Sequence, residues 1–245
     1  MARESDSAPR DRFGISRRRG ERWSEFASRV ANAFGLVLLL VIATYVLGSL
    51  TPPHGWTASL TVLIGVTATV VALASANARL QIVRAAAVLA AIAVACAVVS
   101  AIADARWLLG VSGLITALLM LVAAGAVLRT VVSASEVGFR TILGAISVYL
   151  ILGLLFSFVY VALDRIEGYP FFGHEGSIDN GNTLLFSFYT LTTTGYGNLV
   201  PAGQPGKLIC GLEMLMGNIF LVTLVAGLVS LWRPGSGLLG RRRAG

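Results

Sequence analysis

The chain has 245 residues, 56% of them hydrophobic and only 13% charged, with a net charge of +7. That composition excludes an ordinary soluble globular domain and points to a bilayer as the solvent. The basic surplus does not read as nucleic-acid binding, because no basic patch carries the interleaved aromatics on which single strands stack.

Residues 1–30 form a basic tail, expected on the cytoplasmic side. The first twenty are polar and arginine-rich and predict disorder. Trp23, Phe26, Val30 and Phe34 then recur at helical spacing, with Arg22, Glu25 and Arg29 between them. This predicts an amphipathic helix at the membrane surface, or an extended end of the first span.

Crossing a hydrocarbon core of ~30 Å takes about 20 apolar residues in a helix. Stretches 31–50, 57–76, 85–103, 107–128, 141–163 and 208–232 meet that requirement, and only Glu213 places a formal charge inside any of them. The first begins too late and runs too long for a cleavable signal peptide, so it is expected to act as the insertion signal itself. Short loops, Thr51 to Trp56, Asn77 to Arg84 and Asp104 to Arg106, make the first four helices antiparallel neighbours. Their Ala, Gly, Ser and Thr content allows backbones to approach closely. The fourth span has no charge between Arg106 and Arg129. Thr130 to Arg140 then forms a cytoplasmic connection, on which Val131, Val132 and Val137 can share one apolar face.

Six spans place both termini on one side of the membrane. That side collects sixteen arginines, whereas the other holds only Arg106, Arg165 and Lys207. The positive-inside rule makes the first side cytoplasmic, where it would meet anionic lipid headgroups. Residues Asp164 to Lys207 are then external. Asp104, Asp164, Glu167, Glu175 and Asp179 in the outer loops can concentrate cations or simply stay solvated. Trp56, Trp107 and Trp232 mark span ends and Trp23 precedes the first span, as in an interfacial aromatic belt. Cys96 and Cys210 lie within spans and read as small packing residues rather than a disulfide or metal site. His54 and His174 read as loop residues with no second ligand at metal spacing.

Between the last two spans runs a short amphipathic stretch, Thr183 to Leu191, and then Thr192-Thr193-Thr194-Gly195-Tyr196-Gly197-Asn198. Glycine adopts φ > 0 at little steric cost, so Gly195 and Gly197 suit a backbone that alternates between left- and right-handed regions. Such alternation turns successive carbonyls to one side. A row of carbonyls can replace the hydration shell of a cation without a proton to titrate.

Apolar span, short helix, Thr-Thr-x-Gly-Tyr-Gly and apolar span together resemble the pore-loop superfamily of potassium channels, in the form of a small bacterial six-segment member. The resemblance covers about residues 139–232. It implies an all-α membrane protein with six transmembrane helices, one re-entrant pore helix and filter loop between the fifth and sixth, and a tetrameric pore. Residues 31–129 become a four-helix region without voltage-sensing arginines, 130–140 a linker, 141–232 the pore domain and 233–245 a short cytoplasmic tail. Neither tail has room for a ligand-sensing domain.

By the resemblance, Thr193, Thr194, Gly195, Tyr196 and Gly197 form the ion-binding filter. Carbonyls of Thr193 to Tyr196 and the Thr193 hydroxyl supply the oxygen rings. The implied function is passive potassium-selective conduction by a homotetramer in a plasma membrane, with K⁺ as permeant ion, no cofactor, no enzymatic reaction and no nucleic-acid partner. Thr194 stands where the superfamily usually has Val or Ile, and Asn198 where it has Asp. Leu185 and Phe186 stand where many members have a Trp pair bracing the filter tyrosine. These departures keep a less selective cation channel in view, beside a potassium-transporter subunit or a non-conducting membrane partner.

In the last span, Gly217 falls where many inner helices have a hinge glycine, and close packing of a small residue explains it equally well. Asn218 is expected on the cavity wall, with Leu221 and Val225 below it. Glu213 is ionisable inside a span, which marks function by default. About one turn outward of Gly217, it is expected behind the filter, facing Ser187, Tyr189, Thr190 and Thr192. Glu213 and Asn198 are therefore candidates for filter support.

Overall fold

The computed structural model describes residues 35–50, 55–76, 78–103, 105–133, 139–167, 170–173 and 180–231. The interfacial helix expected over 21–34, the tail 233–245, Val137, His54, His174, Trp23 and Trp232 lie outside them. The described residues form seven helices and no strand. These are α1 (Gly35–Leu50), α2 (Gly55–Ser75), α3 (Leu80–Ala103), α4 (Arg106–Val132), α5 (Phe139–Glu167), α6 (Asn180–Leu191) and α7 (Gln204–Leu231).

Four segments are long and apolar enough to cross a membrane: Leu80–Ala103, Arg106–Val132, Thr141–Ile166 and Gln204–Gly227. Gly35–Leu50 and Ser59–Ala74 are apolar but shorter. Several boundaries differ from the sequence reading, since Trp56, Arg106, Arg140, Asp164 and Lys207, read outside the spans, lie within helices. Arg84, expected in a loop, lies in the first turns of α3 and is exposed; a long cationic side chain can snorkel from a helix end to the headgroups. Thr130 to Val132 extend α4 rather than starting a separate linker helix.

Small residues set the packing of α1–α4. The buried face of α3 is Ala86, Ala90, Ala93, Ala97 and Ser100, a three-and-four spacing that puts one narrow stripe against its neighbours. Ser59 of α2 donates to the Ala97 carbonyl of α3 at 2.9 Å. Helix α4 runs antiparallel along α5. A Cβ on Gly113 would lie 3.1 Å from the Phe158 carbonyl oxygen, and one on Gly110 would lie 2.9 Å from Ile166 Cγ1. Gly65 of α2 reaches the same junction, against Met120 and Phe158. The buried hydroxyls of α4 are satisfied within the helix: Ser112 donates to Leu109 O at 2.9 Å and Thr116 to Ser112 O at 2.8 Å. Helix α1 touches the pore-loop region directly, since the Tyr45 and Phe188 rings meet edge-on at 5.2 Å.

Candidate functional site

Helix α6 ends because its last carbonyls are captured by the chain that follows. Thr193 N–H donates to Thr190 O at 3.0 Å, and Thr194 N–H to Tyr189 O at 2.8 Å. With Thr193 at φ 56°, this is the Schellman pattern, in which a left-handed residue just past the helix closes its final turn. Glycine is the usual occupant. A β-branched residue there is an outlier that its surroundings must hold. The Thr193 hydroxyl donates to Thr192 O at 2.7 Å.

Beyond this turn, Gly195 has φ 53° and Gly197 has φ 80°. Left-handed residues thus occur at alternate positions 193, 195 and 197, with Thr194 and Tyr196 between them at negative φ. The sequence motif marked the two glycines; nothing in it marked Thr193, which is left-handed because it terminates α6. The Thr194 hydroxyl lies 2.9 Å from the Thr192 hydroxyl, and Thr192 Oγ1 also donates back to Phe188 O at 2.8 Å. Thr193 to Asn198 are exposed in the single chain.

Aromatic rings wall residues 193–198 on the side away from this exposed surface. Tyr196 is 70% exposed but keeps one face toward Tyr189, at 5.7 Å between centroids. The Tyr189 hydroxyl donates to Leu199 O at 3.0 Å, which ties α6 to the chain that follows Gly197. Phe186 packs on Tyr189 at 5.3 Å, and on Tyr160 and Phe172 at 5.0 and 5.1 Å. Of the residues standing at the Trp-pair positions, Phe186 is buried behind Tyr189 and Leu185 is exposed. A short antiparallel bridge between Phe172 and Pro201 closes the outer loop onto this cluster. Asp164 belongs to this closure. It accepts from Phe171 N–H at 3.0 Å, lies 3.8 Å from Arg165 Nε and is only 13% exposed. The expectation that Asp164 faces solvent among the outer acidic residues is therefore corrected: its carboxylate caps a backbone N–H inside the loop.

Helix α7 brings Glu213 and Gly217 to the back of α6. Glu213 is fully buried. One carboxyl oxygen meets Ser187 Oγ of α6 at 2.5 Å, and the other meets the Tyr160 hydroxyl of α5. The Ser187 hydroxyl also lies 2.6 Å from Gly153 O. Of the hydroxyls anticipated near Glu213, Ser187 is a partner. Tyr189 turns instead to Leu199, and Thr192 to Phe188. Tyr160 was not anticipated. As one of four aromatics in its span, beside Tyr149, Phe156 and Phe158, it carried no sequence signal that its hydroxyl faces α7.

Gly217 is buried, and a Cβ there would collide with the Leu191 carbonyl oxygen at the end of α6. Close approach is thus a sufficient reason for glycine, and α7 runs as one helix through it. The Leu191 carbonyl also accepts from the Tyr149 hydroxyl at 3.4 Å, while the Tyr149 ring stacks on Phe220 at 5.8 Å. Asn218, Leu221 and Val225 are exposed on α7 in the single chain, and Asn198 is exposed beyond the filter turn.

Residues 144–233 match a family model described as ion channel. The resemblance to pore-loop potassium channels falls on the same segment. No curated protein and no solved structure matches the chain.

Proposed function

We propose that this chain, with its ion-channel segment over 144–233, is one subunit of a potassium-selective channel that conducts passively through Thr193 to Gly197. The observation that carries this reading is the left-handed backbone at alternate residues 193, 195 and 197, directly after the C-terminus of α6. That alternation turns successive carbonyls to one side, and the negative end of the α6 dipole adds to the attraction for a cation. One chain contributes one row of carbonyls, so a ring around an ion requires rotational symmetry, and four copies are proposed. Exposure of the whole filter and of Leu215, Ile219 and Val222 on α7 in a single chain supports assembly through this face.

The ring chemistry selects the ion. Carbonyl dipoles replace the water shell of potassium, and Thr194 adds a hydroxyl at a position where the superfamily usually carries an aliphatic side chain. The Thr194 hydroxyl is engaged with Thr192, which supports a Thr side chain turned from the carbonyl row into the filter wall. Glu213 and Gly217 act from behind, as supports of α6. The membrane is proposed to be the plasma membrane, with both termini cytoplasmic and the arginine-rich face against anionic lipid. The fourth helix carries no arginine ladder, so gating is not assigned to voltage acting on it.

The test is ion flux in proteoliposomes with opposed K⁺ and Na⁺ gradients, together with the mass of the detergent-solubilised complex. A reversal potential near the potassium equilibrium value and a mass of four chains are expected. Equal permeability to the two ions would replace this reading with a non-selective cation channel.

A further inference from the structure

Five polar groups from three helices meet behind the filter, in a region otherwise lined by apolar side chains. They are Cys210 and Glu213 on α7, Tyr160 and the Gly153 carbonyl on α5, and Ser187 on α6. Tyr160, Ser187 and Glu213 are all fully buried, and Cys210 is 5% exposed. The contacts form a line. The Cys210 thiol adjoins the Tyr160 hydroxyl. Tyr160 donates to Glu213 Oε2. Glu213 Oε1 meets Ser187 Oγ at 2.5 Å, and Ser187 Oγ meets Gly153 O at 2.6 Å.

Counting protons along this line decides its chemistry. A hydroxyl has one proton to give, and a backbone carbonyl can only accept. When Ser187 donates to Gly153, the proton between Ser187 and Glu213 must come from the carboxyl. The order is then phenol to carbonyl oxygen of the acid, acid O–H to serine, and serine to backbone carbonyl. Each of the three O–H groups donates once, and no hydroxyl proton is left over.

The ionised alternative leaves a full negative charge in an enclosed place. Among the described residues no Lys or Arg pairs with Glu213. The titratable groups facing it are Tyr160 and, farther off, Tyr149 on α5, and Cys210 on its own helix. None of these brings a positive charge. Ser187 lies one turn before the last residue of α6, so the nearest helix end is also negative. An unpaired buried carboxylate is among the least favourable arrangements available to a protein.

We infer that Glu213 is a positioning residue held as a neutral carboxylic acid, whose hydrogen bonds clasp α5, α6 and α7 together and fix the depth at which α6 presents the filter. This rests on the reading of Thr193 to Gly197 as the filter. The clasp and the collision point at Gly217 act on the same helix. Glu213 ties down Ser187, one turn before the end of α6, and Gly217 receives the terminal carbonyl of Leu191.

A neutral amide reproduces this pattern. The Gln Nε2–H donates to Ser187, and its carbonyl oxygen accepts from Tyr160. An alanine reproduces none of it. The experiment compares wild type, Glu213→Gln and Glu213→Ala as full-length protein in liposomes at neutral pH. The measurements are potassium flux and the infrared difference spectrum of wild type against Glu213→Gln. The expected result is flux reduced about tenfold or more in Glu213→Ala, as stranding buried polar groups implies, with rescue by Glu213→Gln. A protonated carboxylic C=O band should appear in wild type and vanish in Glu213→Gln. A carboxylate band in its place, or failure of the Gln variant to assemble or conduct, overturns the inference. If wild type itself does not select potassium, the channel reading fails, while the infrared comparison still decides the state of Glu213.

Discussion

Gly217 of α7 occupies a position where any Cβ would run into the carbonyl oxygen of Leu191, the last residue of α6. The obstacle is backbone, so it cannot rotate away as a side-chain tip would. Helices α6 and α7 therefore touch through a glycine. Gly217→Ala should push the end of α6 outward and misplace Thr193, at an overpacking cost of about 1–3 kcal/mol. Reduced potassium flux and a lower unfolding temperature of the solubilised protein are the expected outcomes. An alanine variant with unchanged flux and stability would show that the two helices separate freely at this point.

Gly195 has φ 53° with open space around its missing Cβ. Crowding is not the constraint there; backbone conformation is. An L-residue in the left-handed region costs roughly 1–2 kcal/mol, and relaxing it would turn one carbonyl out of the row. Gly195→Ala is expected to abolish selective conduction while leaving assembly and helix content intact, checked by flux and circular dichroism on the same preparation.

Tyr160 is fully buried, and its hydroxyl donates to Glu213. Tyr160→Phe keeps the ring contacts with Phe171 and Phe186, both at 5.0 Å, and removes only the hydroxyl. One acceptor of the carboxyl is then unpaired, for a loss of about 1–3 kcal/mol. Thermal unfolding should shift downward, and Tyr160→Leu, which also loses the ring, should shift further.

No charge lies in α4 between Arg106 and Arg129, and its buried polar side chains, Ser112 and Thr116, bond within the helix. Each charge moved through the field supplies about 2.3 kcal/mol per 100 mV, so an uncharged α4 supplies almost none. Conductance in symmetric potassium should change only weakly with voltage. A steep sigmoid requiring several gating charges per subunit would contradict this account of the first four helices.

Periodicity and composition were enough to locate the apolar helices, since hydrophobic length is a local property and the bilayer imposes it directly. The left-handed turn after α6 was partly legible for the same reason: Gly195 and Gly197 announce left-handed backbone by their lack of a Cβ, whatever surrounds them. The depth of Glu213 behind α6 followed from its helical offset to Gly217. What a linear pattern does not contain is the choice among partners. Ser187, Tyr189, Thr190 and Thr192 all offered hydroxyls to Glu213, and Tyr160, 53 positions away, offered no signal at all. The packing of α5 and α6 against α7 selected Tyr160 and Ser187. Likewise Thr193 is left-handed because Thr190 and Tyr189 capture the amides that follow α6, a condition set by helix termination rather than by residue type. Asp164 looked like a solvent-facing acid until the fold of residues 170–173 presented it with the Phe171 amide. Local chemistry thus specified the elements and the glycine motif at 195–197, whereas contacts between distant helices decided which buried polar groups pack behind α6.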